Sequence, residues 1–215
     1  MTSREKSTRR TEAAETSKKA ILDAAEALFA EKGYNATSLQ EICDLAGVTR
    51  GLPNYFFGSK EELYRSVLER TFALTLSRDL IKFMREQAHK PSTRAEESLG
   101  MVIERIFDFL VTHPTFIRLT EWEALNEGRY LGDLPVLLTV LREAVQVLQK
   151  EVGWQGDAEQ FLIDMTALCW FPLAHAQTFL KPLGVNAHDP DFLEKRKRHV
   201  IALLLGSGSA HPKER

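Results

Sequence analysis

The sequence is poor in the features that hold together secreted or membrane-spanning proteins. It contains two cysteines, Cys43 and Cys169, in 215 residues, which is too few for the disulfide framework of a small secreted domain or for a structural zinc site. No run of about 18 apolar residues occurs, and the charged N-terminus is not followed by the apolar core of a signal peptide. We therefore expect a cytoplasmic protein with free thiols that does not span a membrane.

The sequence also lacks the common catalytic patterns. It has no phosphate-binding G-x-x-x-x-G-K-[ST] motif, no zinc-binding H-E-x-x-H motif, and no recognisable grouping of Ser or Cys with His and Asp. His175 follows Cys169 by six residues, which places the two side chains on different faces of a helix and disfavours a metal site. The sequence therefore predicts no enzyme, no cofactor and no metal.

The charge is nearly balanced overall but is distributed unevenly. The chain has 28 basic and 30 acidic side chains, yet residues 1–19 hold six basic and three acidic ones, whereas residues 61–215 hold 19 basic and 22 acidic ones. A local basic face is thus compatible with nucleic-acid binding despite the net charge of -2. Residues 1–14 are expected to form a flexible basic arm, which either contacts DNA phosphates or the minor groove or is a tail without a role.

Apolar residues recur at helical spacing along most of the chain, and no segment alternates apolar and polar residues as a half-buried strand would. The first helix is predicted over Ser17–Lys32, with Gly33 ending it. Beyond the N-terminal third, helices are predicted over Ala95–Thr112, Thr115–Asn126, Pro135–Glu151, Ala158–Leu180 and Pro190–Leu205. Residues 206–215 are expected to be a frayed tail. The predicted fold class is therefore all-α.

Three further helix starts lie between residues 37 and 62. Thr37 and Gln40 have the spacing of a capping box for a short second helix, which Ala46-Gly47 ends. Thr49 is the predicted cap of a third helix over Arg50–Phe56, with Pro53 at its fourth position. Ser59 and Glu62 form another capping pattern, which opens a fourth helix running to about Leu80.

Residues 38–57 place two short helices on either side of a glycine-containing turn, which predicts a helix-turn-helix. In that motif the second helix enters the major groove, which is about 12 Å wide. Arginine at 50 and asparagine at 54 are suited to contacts with guanine and adenine, and the hydroxyls of Thr49 and Tyr55 to phosphate oxygens. Gly51 lacks a side chain where the backbone would approach DNA. This region is therefore the predicted DNA-binding surface.

The run ILDAAEALFAEKGYNATSLQEICDLAGVTRGLPNYFFGSKEELYRSVL resembles the DNA-binding domain of the TetR family of transcriptional regulators. It has the family pattern of a helix ending in Phe, then G-Y, T-S, an I-C-x-x-A-G-V turn, Y-F-F and S-K-E-E-L. The chain departs from the commonest form at Pro53 and Asn54, where Leu or Ile followed by Tyr is more usual. The resemblance covers residues 15–75 and implies a three-helix DNA-binding domain, with DNA contacts at Thr37, Thr49, Arg50, Gly51, Asn54, Tyr55 and Lys60.

The resemblance further implies that residues 76–205 form a larger helical domain that binds a small-molecule effector and dimerises through the last two long helices. The expected pocket residues are Met101, Ile103, Phe107, Leu110, Phe116, Trp122, Met165, Trp170 and Phe171. The expected dimer residues are Phe161, Leu162, Met165, Leu173, Ala176, Phe179, Leu193, Val200, Leu203 and Leu204.

The sequence as a whole favours a homodimeric repressor that binds a palindromic DNA operator and releases it when a small molecule binds the C-terminal domain. Two other classes are left open by the C-terminal two thirds: a helical protein–protein adaptor, and a small all-α enzyme without a recognisable motif. Neither explains the N-terminal third. The effector, the operator and the regulated genes are not predicted.

Overall fold

The structure is a computed structural model that describes residues 3–75, 82–83, 85–86, 95–131, 143, 146–151 and 156–206. Within these ranges there is no strand, which confirms the predicted all-α class. No helix in them is long and apolar enough to cross a membrane. The helices are α1 Ser3–Ala36, α2 Leu39–Ala46, α3 Leu52–Phe57, α4 Lys60–Thr75, α5 Ala95–Thr112, α6 Pro114–Leu125, α7 Ala158–Ala174 and α8 Pro190–Gly206.

The predicted C-terminal helices differ from the observed ones in two places. The helix expected over Ala158–Leu180 ends at Ala174 and is followed by a π-helical segment, Ala176–Leu180, and a 3-10 turn, Lys181–Leu183. Of the helix expected over Pro135–Glu151, a π-helical turn at Val147–Glu151 is described, and most of the rest lies outside the described residues. The end of the fourth helix beyond Thr75 and the tail beyond Gly206 also lie outside them.

Helix α1 is longer than the sequence predicts and contains a kink. It begins at Ser3, so residues 3–14, expected as a flexible arm, continue the helix. At Gly33 the backbone leaves the helical region, with φ 76° and ψ 173°, and a short helical end follows to Ala36. A positive φ favours glycine because a Cβ atom would crowd the backbone. Gly33 was predicted to end the helix, and it is the position where the regular helix breaks.

The chain divides into two compact units. The N-terminal unit comprises Met1–Phe72 together with Arg118–Leu134, and the C-terminal unit comprises Ala73–Ile117 together with Pro135–Arg215. The first division lies close to the predicted boundary at residue 75. Residues 118–131, which the sequence places in the C-terminal domain, belong instead to the N-terminal unit. The physical reason is that side chains of α6 form hydrogen bonds to α1 and α4.

The C-terminal unit packs α5, α7 and α8 against one another. Ile103, Phe107, Met165 and Val200 are among its fully or almost fully buried side chains. At its edge the Lys197 ammonium binds the Asp108 carboxylate at 2.9 Å. This unit therefore has its own apolar core.

A proline inside α7 is compensated by a side chain from α8. Pro172 has no N–H to donate, so the Leu168 carbonyl one turn earlier loses its helical partner. The Arg196 guanidinium donates to that carbonyl at 2.8 Å. Arg196 is half-buried, and burial lowers the pKa of its guanidinium. We infer that this hydrogen bond keeps α7 helical through the proline.

Candidate nucleic-acid interface

Helix α2 begins with a complete capping box, but one residue later than predicted. The Ser38 hydroxyl accepts a hydrogen bond from the Glu41 N–H at 3.2 Å, and the Ser38 N–H donates to the Glu41 carboxylate at 2.8 Å. Ser38 is therefore the cap, and the predicted pairing of Thr37 with Gln40 is wrong. The Lys32 ammonium binds Glu41 at 2.7 Å. Together with Ser38, it lowers the pKa of Glu41 to about 2.

Helix α2 ends where the sequence predicts. Gly47 adopts a left-handed conformation, with φ 65° and ψ 33°. Its N–H and that of Val48 donate to carbonyls of the last turn of α2. The chain is thereby redirected into the segment that leads to α3. This turn is the centre of the predicted helix-turn-helix.

Helix α3 is shorter than predicted and begins at Leu52 rather than Arg50. Gly51 is the residue before it and gives no side-chain cap, so the prediction that Thr49 caps this helix is wrong. Pro53 occupies the second position of the helix, not the fourth, and is buried. Because first-turn N–H groups have no partner within the helix, Pro53 costs α3 no hydrogen bond.

The side chains predicted to contact DNA around α3 are exposed together. Arg50, Asn54 and Thr49 are exposed, and the Tyr55 side chain is 79% exposed. A Cβ atom added to Gly51 would have no neighbour within 4 Å, so its backbone is open to an approaching molecule. Tyrosine and arginine are the side-chain types that are enriched where protein surfaces bind a partner. The geometry leaves these groups free to contact bases and phosphates.

Thr37 lies in the interior, and the expectation that its side chain contacts DNA is wrong. It is 2% exposed. Its hydroxyl lies 2.8 Å from the Gly33 carbonyl and 3.2 Å from the Leu28 carbonyl. These contacts place the Thr37 hydroxyl against the backbone of α1 beside the kink at Gly33. Its role is therefore to stabilise the end of α1.

Lys60, the first residue of α4, lies at the junction with α3. Gly58 has a φ of 84°, and the Ser59 hydroxyl caps α4 by accepting the Glu62 N–H at 3.1 Å. The Lys60 ammonium lies 4.3 Å from the centroid of the Tyr34 ring. Burial lowers the pKa of the Lys60 ammonium. Lys60 is thus half-buried, and its ammonium lies over an aromatic face.

Helix α6 supports the C-terminal end of α1, which the sequence analysis did not anticipate. The Ala30 carbonyl accepts hydrogen bonds from Arg118 Nε at 2.8 Å and from Trp122 Nε1 at 3.2 Å. A Cβ atom on Gly33 would lie 2.9 Å from the Trp122 ring. Trp122 therefore belongs to the N-terminal unit, and its assignment to an effector pocket in the C-terminal domain is wrong. No local signal in the sequence pairs residues 88 or 92 positions apart.

A buried carboxylate ties α4 to α6. Glu123 is fully buried and accepts hydrogen bonds from the Tyr64 hydroxyl at 2.7 Å and from the N–H groups of Tyr130 and Leu131 at 3.0 and 3.2 Å. Burial and this carboxylate raise the pKa of Tyr64 above its ordinary value. The four rings of Phe29, Tyr34, Tyr64 and Tyr130, here termed the aromatic cluster, pack around this point.

The predicted pocket residues of the C-terminal unit fall into three groups by burial. Phe171 is 43% exposed and packs on Phe179, and its assignment to the pocket stays a prediction. Met101 and Trp170 are half-buried, and the Trp170 ring contacts Phe116 with a centroid separation of 5.5 Å. The remaining residues are buried: Ile103, Phe107, Leu110, Phe116 and Met165.

Several predicted dimer residues are already covered within one chain. Phe161, Met165, Val200 and Leu204 are at most 8% exposed, so they have no surface left for a partner and the assignment is wrong for them. Phe179 is 50% exposed and Leu203 44%. The remaining four, Leu162, Leu173, Ala176 and Leu193, are half-buried. The prediction did not include Ile163, which is 57% exposed on α7.

Comparisons with known proteins match parts of both units to families of bacterial transcriptional regulators. Residues 21–67 match the family described as bacterial regulatory proteins, tetR family, and residues 96–204 match the tetracyclin repressor-like C-terminal domain. The HTH-type transcriptional regulator RutR of Escherichia coli is 35% identical, and the match covers 92% of each chain. The HTH-type transcriptional repressor NicS of Pseudomonas putida is 27% identical over 84% of this chain and 86% of that protein.

A solved structure supports the fold. A TetR-family transcriptional regulator from Mesorhizobium loti superposes with a TM-score of 0.65 at 19% identity. The match covers 90% of this chain and 96% of that one. At this level of identity the similarity concerns the fold alone.

Proposed function

This chain belongs to the TetR family of bacterial regulatory proteins, and from that premise we propose that it is a homodimeric repressor whose operator affinity falls when a small molecule binds its C-terminal unit. As a member of this family it is a DNA-binding transcriptional regulator and not an enzyme. The repressor role, the dimer, the palindromic operator and the effector belong to our proposal.

The observation that carries the DNA-binding proposal is the exposed surface around α3. Arg50 supplies a forked donor that suits guanine, and Asn54 an amide that suits adenine. Thr49 and Tyr55 supply hydroxyls for phosphate oxygens, and the bare backbone at Gly51 permits close approach. We retain these five residues together with Lys60 as the proposed DNA contacts.

The proposed switch is geometric. In a dimer bound to a palindromic operator, the two α3 helices must lie about one helical turn of DNA apart, roughly 34–36 Å. Helix α4 begins directly after α3 and crosses the division at Phe72 into the C-terminal unit. An effector that binds better to a state with a different α3 spacing would shift the population away from DNA, by no more than its differential affinity. The relative named a repressor, NicS, supports the direction of the switch.

The proposed effector site uses the apolar side chains that the C-terminal unit contains. Met101, Ile103, Phe107, Leu110, Phe116, Met165, Trp170 and Phe171 are the residues that we retain. A site of this composition suits a largely apolar compound.

The test first uses the wild-type protein to select a preferred duplex from a random-sequence library. The Kd for that duplex is then measured for the wild type and for Arg50→Ala. Removing a bidentate base contact should cost about 1–3 kcal/mol, or roughly 5- to 150-fold in Kd, and should relax the sequence preference at one base pair. Arg105→Ala, which removes an exposed arginine of α5, is the matched control and should bind as the wild type does. An unchanged Kd for Arg50→Ala would show that α3 is not the base-reading element.

A further inference from the structure

The Lys60 ammonium lies over a ring face rather than against a carboxylate. Lys19, Lys32 and Lys197 each lie against a carboxylate, at distances of 2.7 to 2.9 Å. Among the described residues no carboxylate lies within ion-pair distance of Lys60, and its ammonium sits over the Tyr34 ring at 4.3 Å. A carboxylate would neutralise the charge, whereas a ring face attracts the cation and leaves its N–H donors free for another anion.

The Tyr34 ring packs against the other three rings of the aromatic cluster. It follows the Gly33 kink directly and contacts the other rings of the aromatic cluster, with centroid separations of 5.1 Å to Tyr64, 5.1 Å to Tyr130 and 6.1 Å to Phe29. Burial, together with the neighbouring Tyr130 side chain, raises the pKa of Tyr34. The ring therefore presents a fixed face toward Lys60.

The cluster is in turn fixed by Glu123. One of its carboxylate oxygens accepts the Tyr64 hydroxyl, and the other accepts the Tyr130 N–H. Two of the three rings that contact Tyr34 are thus attached to a single buried carboxylate. The position of Lys60 at the start of α4 therefore depends on contacts from α1, α4 and the turn that follows α6.

We propose that Tyr34 is a positioning residue of the DNA interface, whose ring holds the Lys60 ammonium extended so that it meets a DNA phosphate without first having to be ordered. This inference rests on the proposed function, because it assumes that Lys60 faces DNA. A long lysine side chain loses rotamer freedom when it binds an anion, and a preformed orientation lowers that cost. The ring should therefore increase phosphate affinity through Lys60 and through no other group.

The experiment uses a mixed-sequence 30-base-pair duplex, since phosphate contacts are independent of sequence. Kd is measured over a range of salt concentrations for Lys60→Ala, Tyr34→Leu, Tyr34→Phe and the double variant of Lys60→Ala with Tyr34→Leu. We expect Lys60→Ala to lower affinity about tenfold and to reduce the log–log salt slope by about 0.9. Tyr34→Leu should lower affinity about threefold in the wild-type background and have no further effect in the Lys60→Ala background. Tyr34→Phe, which keeps the ring, should bind like the wild type.

Two results would overturn the inference. Equal losses from Tyr34→Leu with and without Lys60 would mean that the ring acts on the fold and not through the lysine. A loss in Tyr34→Phe as large as that in Tyr34→Leu would assign the effect to the hydroxyl. Thermal unfolding of each variant accompanies the binding measurements. If Tyr34→Leu does not fold, the contact between Lys60 and the ring is tested by NMR. We expect an upfield ring-current shift of the Lys60 ε-protons in the wild type and in Tyr34→Phe. Absence of this shift refutes the ring contact.

Failure of the proposed function would give a different set of binding results from failure of this inference. If the wild type binds no duplex in a salt-dependent way, the DNA-binding proposal fails with all its contacts. If the wild type binds and Lys60→Ala matches it in affinity and slope, this inference is overturned while binding through α3 stands. Lys195→Ala, an exposed lysine of α8, is the control for a lysine outside the N-terminal unit and should leave the slope unchanged.

Discussion

At the scale of single residues, Gly33 shows how one position can be constrained twice. Its φ of 76° lies in the region that disfavours side chains, and its Cα faces the Trp122 ring so closely that a Cβ atom would lie 2.9 Å from it. The first constraint is visible in the sequence, because a glycine after an amphipathic helix predicts a break. The second depends on a residue 89 positions away and has no local signal.

We predict that Gly33→Ala lowers the free energy of unfolding by about 2–4 kcal/mol, because it adds a steric clash to a strained φ. Gly47→Ala is the matched control. Gly47 lies in the left-handed helical region, with φ 65° and ψ 33°, and has nothing within 4 Å of its added Cβ. It should therefore lose only about 1–2 kcal/mol, whereas Gly33, with ψ 173°, lies in a region open essentially to glycine alone. Urea unfolding measures both. Equal losses would mean that the Trp122 ring moves aside at no cost.

Arg50 and Thr37 show where residue-scale prediction succeeds and fails. Residue type and spacing predicted that Arg50 lies outward, and it does. The same reasoning placed Thr37 at the interface, because a threonine before a helix suits both a cap and a phosphate. The hydroxyl instead bonds to carbonyls of Leu28 and Gly33 near the end of α1, and this packing exists only when the chain is folded.

At the scale of secondary-structure elements, the start of α2 depends on the ionised Glu41 carboxylate. Its pKa is lowered from 4.5 to about 2 by hydrogen bonds from Lys32 and Ser38. Because the pKa in the folded state lies below the unfolded value, Glu41 contributes stability that is present above about pH 4.5 and is lost as the pH falls toward 2.

We predict that Glu41→Gln flattens the pH dependence of the unfolding free energy between pH 5 and pH 2, and that this variant is less stable than the wild type at pH 7. Urea unfolding as a function of pH provides the measurement. Glu69→Gln, on the exposed face of α4, serves as the control and should retain the wild-type profile. A wild-type profile for Glu41→Gln would refute the importance of the capping box.

The proline in α7 gives a second test at this scale. We predict that Arg196→Met lowers the free energy of unfolding by about 1–3 kcal/mol, because the Leu168 carbonyl then has no donor. In a Pro172→Ala background the restored N–H should satisfy that carbonyl, so Arg196→Met should cost at least 1 kcal/mol less. A double-mutant cycle by urea unfolding measures the difference. Additive losses would mean that Arg196 stabilises the unit in another way.

At the scale of the whole molecule, the proposal depends on dimerisation. Exposed apolar side chains remain on the C-terminal unit, with Ile163, Phe179 and Leu203 between 44% and 57% exposed. Burying such residues between two copies is the usual source of dimer stability. Of the predicted dimer residues, we therefore expect the exposed ones, Phe179 and Leu203, to contribute to the dimer interface.

We predict a sedimentation mass of twice 24.4 kDa for the wild type and a shift toward the monomer in Phe179→Asp, because a charge in an apolar interface is not solvated. Leu125→Asp is the matched control. It also places a charge at an exposed leucine, 76% exposed, but in the N-terminal unit, so it should leave the dimer intact. A monomeric wild type would remove the basis for a palindromic operator.

Local sequence patterns were sufficient to predict the helical class, the family and the exposed side chains around α3. These follow from local periodicity, from glycines at the ends of helices and from a motif contiguous over about 50 residues. Folding was needed to show that residues 118–131 group with the N-terminal helices, that Trp122 packs on Gly33, and that Glu123 binds Tyr64 and the Tyr130 backbone. The contacts of Trp122 with α1 and of Glu123 with Tyr64 join residues 59 to 92 positions apart, and their energy comes from burial and hydrogen bonds that exist only once the helices have packed.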